Sequence, residues 1–165
     1  MNAIVGKIAQ DHTSRELCLD DAHLWRSKLV EKCAEAERCV IALLQAAGKT
    51  SQAKAPLSQK IETLKKTLDD SAKADAKLLA LLEQLRPCSD LRSDLVHSTI
   101  SIAVIEDENV AVVRSASEQH EGAGTRLLMK LACLKARYDE TSGIVNRLRQ
   151  AADARQKAGF PLSRE

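Results

Sequence analysis

The sequence has few aromatic residues: one Trp, one Tyr and one Phe make up 2% of its 165 residues. Its apolar fraction of 44% therefore comes mainly from aliphatic side chains, among which Ala and Leu, both strong helix formers, dominate. Strand-rich domains depend on β-branched and aromatic residues, so this composition argues against a β-sandwich. The length and composition together predict a mainly helical protein that forms a single domain over residues 1–165.

The sequence also has no large excess of charge of one sign. Its 25 basic and 23 acidic residues give a net charge of +2, which excludes attraction of the whole chain to nucleic acid or to a membrane surface. Basic and aromatic residues are not interleaved in the way typical of surfaces that hold single-stranded RNA. No apolar run approaches the roughly 18 residues that span a bilayer, and the first residues lack a signal-peptide pattern. We expect a cytoplasmic protein that makes no membrane contact.

Paired metal-ligand spacings are missing as well. The five cysteines include no CxxC, and the four histidines are dispersed at His12, His23, His97 and His120. This pattern argues against a disulfide framework and a zinc site, and we expect no cofactor and no metal ion. Cys33 and Cys133 fall at apolar positions of helical patterns, where we expect buried, reduced thiols.

Two long helices are predicted in the first half of the chain. Residues 1–19 show no clean period and predict a loosely ordered arm. The next helix ends at Gly48, and its apolar positions recur every three or four residues at Leu29, Cys33, Ala36, Val40, Leu43 and Ala47. A second helix, ending before Pro87, has its apolar face at Leu57, Ile61, Leu64, Leu68, Ala72, Leu79, Leu82 and Leu85. A new start signal near Asp69 leaves open that this helix is broken there.

The period then changes to that of a β-hairpin over residues 99–114. Two alternating segments flank the polar residues 106–109, and we expect one apolar face made of Ile100, Ile102, Val104, Val110 and Val112. A last helix over 125–157 has a nearly heptad seam, which packs either within the chain or across a dimer. The fold class predicted is an antiparallel helical bundle with one β-hairpin inserted before the last helix.

Signatures of phosphate loops, dinucleotide binding, nucleophile elbows and zincin sites are absent. One segment remains, Leu91-Arg92-Ser93-Asp94-Leu95-Val96-His97, expected on a short helix capped by Ser89 or Asp90. It resembles the R-x4-6-H motif of the HEPN family (higher eukaryotes and prokaryotes nucleotide-binding). Those domains are similar in placing two long helices before the motif helix, so the resemblance covers residues 20–98.

The resemblance implies a metal-independent endoribonuclease of a toxin or defence system, in which a homodimer places two motifs face to face. RNA is then the substrate and an antitoxin a candidate protein partner. His97 takes the role of acid or base, Arg92 binds the scissile phosphate, and Asp94 orients one of them. Five helical residues place Arg92 and His97 about 140° apart, so the arginine must reach around the helix.

Two other interpretations stay open. Ser93 stands where the family usually has Asn, Asp or His, and non-catalytic members of the family serve as binding or docking modules. The chain is then a non-enzymatic helical module for self-association or for a partner, using its helical seams and the edge of its hairpin. Alternatively, Arg92, Asp94 and His97 are simply a salt-bridged helix start.

Overall fold

The computed structural model describes residues 2–49, 55–69, 75–106, 108–115 and 127–158. Within these residues the chain forms, in order, α1 (Asn2–Ala46), α2 (Leu57–Asp69), α3 (Ala76–Val96), β1 (Ser98–Ile105), β2 (Glu108–Ser115), β3 (Leu127–Lys130) and α4 (Leu131–Ala158). The predicted fold class, a mainly helical bundle with a β-hairpin before the last helix, is confirmed, and a third strand joins the hairpin. None of the helices described is both long enough and apolar enough to cross a membrane.

The chain divides into two compact units. The first comprises Met1–Val30 and Ser93–Tyr138, and the second comprises Glu31–Arg92 and Asp139–Glu165. In its described residues the first unit holds the three strands with parts of α1, α3 and α4, and the second is built from helices alone. Each unit has its own set of buried apolar side chains.

Helix α1 begins at Asn2, where the sequence predicted a loosely ordered arm over residues 1–19. Between residues 2 and 19 there is no proline and only one glycine, Gly6, so nothing stops a helix from extending once it has formed further along. The other end is as predicted. Gly48 has a φ of +70°, and the amides of Gly48 and Lys49 donate to the carbonyl oxygens of Gln45 and Leu44, each at 2.9 Å. This is a Schellman stop, which favours glycine.

The predicted apolar faces of the first two helices are confirmed. All six positions predicted for the first helix, of which Ala47 directly follows α1, are at most 2% exposed, and the four positions in α2 are at most 6% exposed. The structure describes two separate helices here, α2 to Asp69 and α3 from Ala76, which is the alternative that the start signal left open, and the predicted position Ala72 lies outside the described residues. Because the face starts afresh in α3, Leu78 is buried in place of the predicted Leu79, followed by Leu82 and Leu85.

The sequence predicted that this helix ends before Pro87. That prediction is wrong, because α3 continues through Pro87 to Val96. Proline lacks an amide hydrogen, so the carbonyl of Glu83 loses its helical donor. Pro87 and Glu83 are both exposed, and water can reach that side of the helix. On the other side Leu85 and Cys88 are 0% and 7% exposed, so buried side chains hold the helix on both sides of the proline. The segment predicted to start a short helix, with Ser89 or Asp90 as its cap, is therefore the end of a long one.

The sheet has the order β1-β2-β3, and both pairs are antiparallel. The predicted hairpin is confirmed, but its predicted apolar face is wrong. The register places Ile100 opposite Val113 and Ile102 opposite Ala111. Directly opposed side chains share a face, so Val110 and Val112 lie on the other face from Ile100 and Ile102. As the central strand, β2 is buried on both faces: Val110, Ala111, Val112 and Val113 are at most 7% exposed.

The start of the predicted last helix is also corrected. Leu127–Lys130, expected in the helix over 125–157, forms β3 and pairs with β2, and α4 begins only at Leu131. These four residues form backbone hydrogen bonds with β2. Such pairing is a long-range contact, which the local helical periodicity of the sequence does not indicate. Lys130 forms an ion pair with Glu108 on the neighbouring strand. From Leu134 onward the predicted seam is confirmed except at Tyr138, which is half-buried; its buried positions are Leu134, Thr141, Val145, Leu148 and Ala152.

The five cysteines are free thiols. Cys33 is buried as predicted, but Cys133 is exposed. Cys133 lies one residue before the buried Leu134, about 100° around the helix from it, and so points away from the buried face. Burial, together with the nearby Cys88 thiol, raises the pKa of the Cys33 thiol to about 12, and the positive charge of Arg92 opposes this increase. Cys33 is thus an unreactive part of the core of the second unit.

Candidate functional site

The end of α3 carries the residues of the R-x4-H motif. Arg92 and Asp94 are half-buried in its last two turns, and His97, the residue directly after the helix, is exposed. The His97 amide still donates to the Ser93 carbonyl oxygen at 3.3 Å, so the helical bonding pattern extends to it. Arg92 belongs to the second unit, and Asp94 and His97 belong to the first. The structure thus places Arg92 and Asp94 in the last two turns of α3 and His97 directly after them.

The two apolar residues between Asp94 and His97 differ in their environment. Leu95 is fully buried and anchors the turn in the core of the first unit, whereas Val96 is 36% exposed. Of these two residues, only Leu95 therefore holds the motif against the core. His97 follows on the solvent side, and its imidazole is free to meet a molecule from outside.

Arg26 of α1 holds the turn that carries His97. Its Nε donates to the Leu95 carbonyl oxygen at 2.8 Å, and its Nη2 donates to those of Ser98 at 3.1 Å and Val96 at 3.4 Å. The guanidinium thereby occupies carbonyls that the end of a helix leaves without amide partners. The Ser98 hydroxyl adds a bond to the Asp94 carbonyl oxygen. These contacts fix the backbone on both sides of His97.

Sequence reasoning missed Arg26 because it lies 69 residues before the nearest of its partners. No local pattern marks an arginine on a helix face as the cap of a distant helix. The same turn of α1 also carries Trp25, whose ring contacts a second aromatic side chain of the first unit.

The second unit contains a groove of about 240 Å³ between α1 and α4. Its charged lining consists of two acidic residues, Glu35 and Asp153, and two basic residues, Arg38 and Arg149. Glu35 and Arg149 form an ion pair, so the groove has no net charge and its charges are partly satisfied within it. Burial raises the pKa of the Cys39 thiol in this lining; nearby Asp153 raises it too, and Arg38 lowers it. This combination favours a structural role for the groove.

Among the residues that the structure describes, no group of three His, Cys, Asp or Glu side chains is placed to hold a metal ion. His12 and His120 lie outside the residues whose side chains are described. No protein-family model, curated protein or solved structure matches the chain.

Proposed function

We propose that this chain is a HEPN-like protein that acts on RNA and cleaves it without a metal ion. The observation that carries the proposal is the exposed His97 on a turn that Arg26 and Ser98 fasten. An exposed imidazole on a fixed backbone is suited to proton transfer, because acid–base catalysis requires a group held at a defined position. Two helices precede the motif helix, as in the family that it resembles, but only α1, with 45 residues, is long, whereas α2 has 13 residues.

The chemistry assigned to the site is cleavage by the neighbouring 2′-hydroxyl. His97 accepts the proton of the 2′-hydroxyl, whose oxygen attacks the phosphorus, and the bond from phosphorus to the 5′-oxygen breaks. The leaving oxygen takes up a proton, and the products are a 2′,3′-cyclic phosphate and a free 5′-hydroxyl. Arg92 binds the phosphate through its guanidinium fork and stabilises the charge that grows on it. Asp94 acts as a positioning residue for one of the two.

A homodimer completes the proposed site. In the family that the motif resembles, two protomers bring their motifs face to face, so that each RNA strand meets groups from both copies. A face-to-face pair supplies a second imidazole, which can protonate the leaving oxygen while the first removes the proton from the hydroxyl. A toxin or defence system, with an antitoxin as protein partner, is the setting that this activity suggests.

The test is cleavage of end-labelled single-stranded RNAs and transfer RNAs in the presence of EDTA. We expect the natural chain to cleave, and His97→Ala and Arg92→Ala each to lower the rate by about 100-fold or more. Arg38→Ala is the matched control for Arg92→Ala, because this exposed arginine lies twelve residues, about three turns, along α1 from Arg26. This control should cleave at the natural rate. Cleavage that persists in His97→Ala, or a folded natural chain that does not cleave, would refute the proposal.

A second function, a non-enzymatic module for self-association, is favoured by the free edge of the sheet. In the described part of the chain β1 is an edge strand, and its eight residues include no charge, proline or glycine. Val104 and Ile105 at its end are 46% and 41% exposed. Edge strands are usually protected by charges or proline, because their open backbone groups pair readily with another strand.

The edge is tested by measuring the mass of the protein in solution. We expect the natural chain to be a dimer that Val104→Lys converts to a monomer, because a charged side chain at the edge opposes strand pairing. Ala80→Lys, at an exposed position of α3, should leave the dimer intact. A natural chain that is monomeric at all concentrations, or a Val104→Lys variant that stays dimeric, contradicts this function of the edge.

A further inference from the structure

Two of the three aromatic residues of the chain lie against each other in the first unit. The ring centroids of Trp25 in α1 and Tyr138 in α4 are 5.5 Å apart, with an angle of 54° between the ring planes. Both side chains are half-buried, unlike the aliphatic residues of the core, many of which are fully buried. Part of each of the two side chains is therefore accessible to solvent.

Two lysines accompany this pair. The Nζ of Lys28 lies 4.4 Å from the centroid of the Trp25 ring, and the Nζ of Lys135 lies 5.8 Å from it. Each helix contributes one aromatic residue and one lysine three positions apart, the spacing that places two side chains on the same face. Lys135 is exposed and Lys28 is half-buried, so both ammonium groups are within reach of an approaching anion.

We propose that Trp25, Tyr138, Lys28 and Lys135 form a platform that binds single-stranded RNA. A base stacks on the aromatic surface, and the two ammonium groups contact the phosphates on either side of it. Aromatic side chains flanked by basic ones are the usual means of holding a single strand without reading its sequence. This inference rests on the proposed function, since it assigns the platform to the RNA that His97 acts on.

The lysine now over the Trp25 ring does not prevent stacking. Contacts between a cation and a ring at an exposed site are weaker than the stacking of a base on an aromatic side chain. A base can therefore displace the flexible Lys28 side chain, whose ammonium group then moves to a phosphate. Double-stranded RNA keeps its bases stacked inside the helix and cannot use such a platform.

The position of the platform links it to the motif. Trp25 is adjacent in sequence to Arg26, which donates to the carbonyl oxygens on both sides of His97. One turn of α1 thus carries an aromatic side chain of the platform and the arginine that fixes the His97 turn. All four platform residues belong to the first unit, as does His97.

The experiment uses the fluorescence of Trp25, the only tryptophan in the chain. The probe is a labelled single-stranded RNA of about ten nucleotides, near the site size of single-strand binding folds, with 2′-O-methyl riboses that block cleavage by the 2′-hydroxyl. Titrating it into the natural chain should quench the fluorescence, because a stacked base lies against the indole. The fluorescence anisotropy of the label measures the affinity in parallel.

Variants then separate stacking from charge. Tyr138→Leu should weaken binding by about fivefold to 150-fold, the range for loss of one stacked base. Tyr138→Phe keeps the ring and should bind as the natural chain does. Lys135→Ala should weaken binding and reduce its dependence on salt, whereas Lys66→Ala, an equal loss of charge at an exposed position of α2, should do neither. The unchanged fold of Tyr138→Phe and Lys135→Ala keeps the test valid if Tyr138→Leu does not fold.

The outcomes distinguish the platform from the proposed ribonuclease. Quenching and binding by a chain that cleaves no RNA would uphold the platform and refute only the cleavage. Cleavage that depends on His97, without quenching by the probe and with natural rates in Lys135→Ala, would refute only the platform. The platform would also be refuted if a duplex of the same composition bound as tightly as the single-stranded probe. It would be refuted as well if Lys135→Ala and Lys66→Ala bound the probe with the same affinity. Tighter binding of single-stranded DNA than of the RNA would overturn RNA as the ligand.

Discussion

Replacing Arg26 by methionine tests whether one side chain fixes the turn that carries His97. The guanidinium donates to three carbonyl oxygens, those of Leu95, Val96 and Ser98, which belong to the end of α3 and the start of β1. Methionine keeps an unbranched apolar stem of similar length, so that packing along the stem is largely retained. The substitution therefore removes the hydrogen bonds and the charge with little change in apolar contact.

The expected loss of stability follows from the geometry of these bonds. Two of the three, to Leu95 at 2.8 Å and to Ser98 at 3.1 Å, are short and partly shielded from water, and the bond to Val96 at 3.4 Å is exposed. A hydrogen bond from a charged group contributes about 1.5–3 kcal/mol, and we take the lower end because the site is half-buried. The free energy of unfolding should fall by about 2–3 kcal/mol, which lowers the midpoint of thermal unfolding by about 5–10 °C.

The measurement is unfolding in urea and by heat, followed by circular dichroism, together with hydrogen exchange of the segment around His97. The amides of residues 93–98 should exchange faster in Arg26→Met, because the turn opens more often. Arg38→Met, at an exposed position of the same helix, is the matched control and should change stability by less than about 0.5 kcal/mol. If Arg26→Met is as stable as this control, and the amides of residues 93–98 exchange equally slowly in both variants, the guanidinium does not hold the His97 turn.

Asp75→Ala should cost about 1–2 kcal/mol of unfolding free energy, because Asp75 accepts the Leu78 amide at 3.0 Å at the start of α3 and pairs with Arg155 at 2.7 Å. Burial raises the pKa of the Asp75 carboxyl, but the Leu78 amide and Arg155 together hold it below the usual 3.8. A lowered folded pKa gives stability that is present above the unfolded pKa and is lost in acid, so the gap between the two proteins should narrow from about pH 5 to about pH 2; a constant gap would contradict the pairing. Leu82→Ala should cost about 2–5 kcal/mol in the same unfolding measurement because Leu82 is fully buried, whereas Leu24→Ala, at a side chain that is 47% exposed, should cost less than about 0.5 kcal/mol. Equal losses in these two variants would contradict the assignment of the core.

Hydrophobic periodicity was sufficient to predict most of the helical segments and the buried faces of α1 and α2. Positions spaced by three and four residues, such as Leu29, Cys33 and Ala36, are buried in the structure as the pattern requires. The end of the first helix at Gly48 was predictable because glycine readily adopts the left-handed backbone that ends a helix, which is a local property of the residue. Alternation of apolar and polar residues likewise predicted the β-hairpin, and the residue types themselves drew attention to Arg92, Asp94 and His97.

Other features arise from contacts between residues far apart in the sequence. Pro87 lies inside α3 because buried side chains on both sides of it hold the helix together. Leu127–Lys130 is a strand because β2 offers an edge to pair with, and the register of the hairpin determines which apolar residues share a face. Local propensity favours the wrong state at each of these places, and long-range contacts outweigh it.

Local patterns of side chains along the chain are sufficient to predict the helical class, the buried faces of α1 and α2, and the hairpin, and they single out Arg92, Asp94 and His97. The contacts of Arg26 with the His97 turn and of Trp25 with Tyr138 arise only when the chain folds. Trp25 and Tyr138 are isolated in a sequence almost free of aromatic residues, and only the folding of α4 against α1 within the first unit brings their rings together. Burial and pairing depend on which distant groups share the same space, a property that no single stretch of sequence contains.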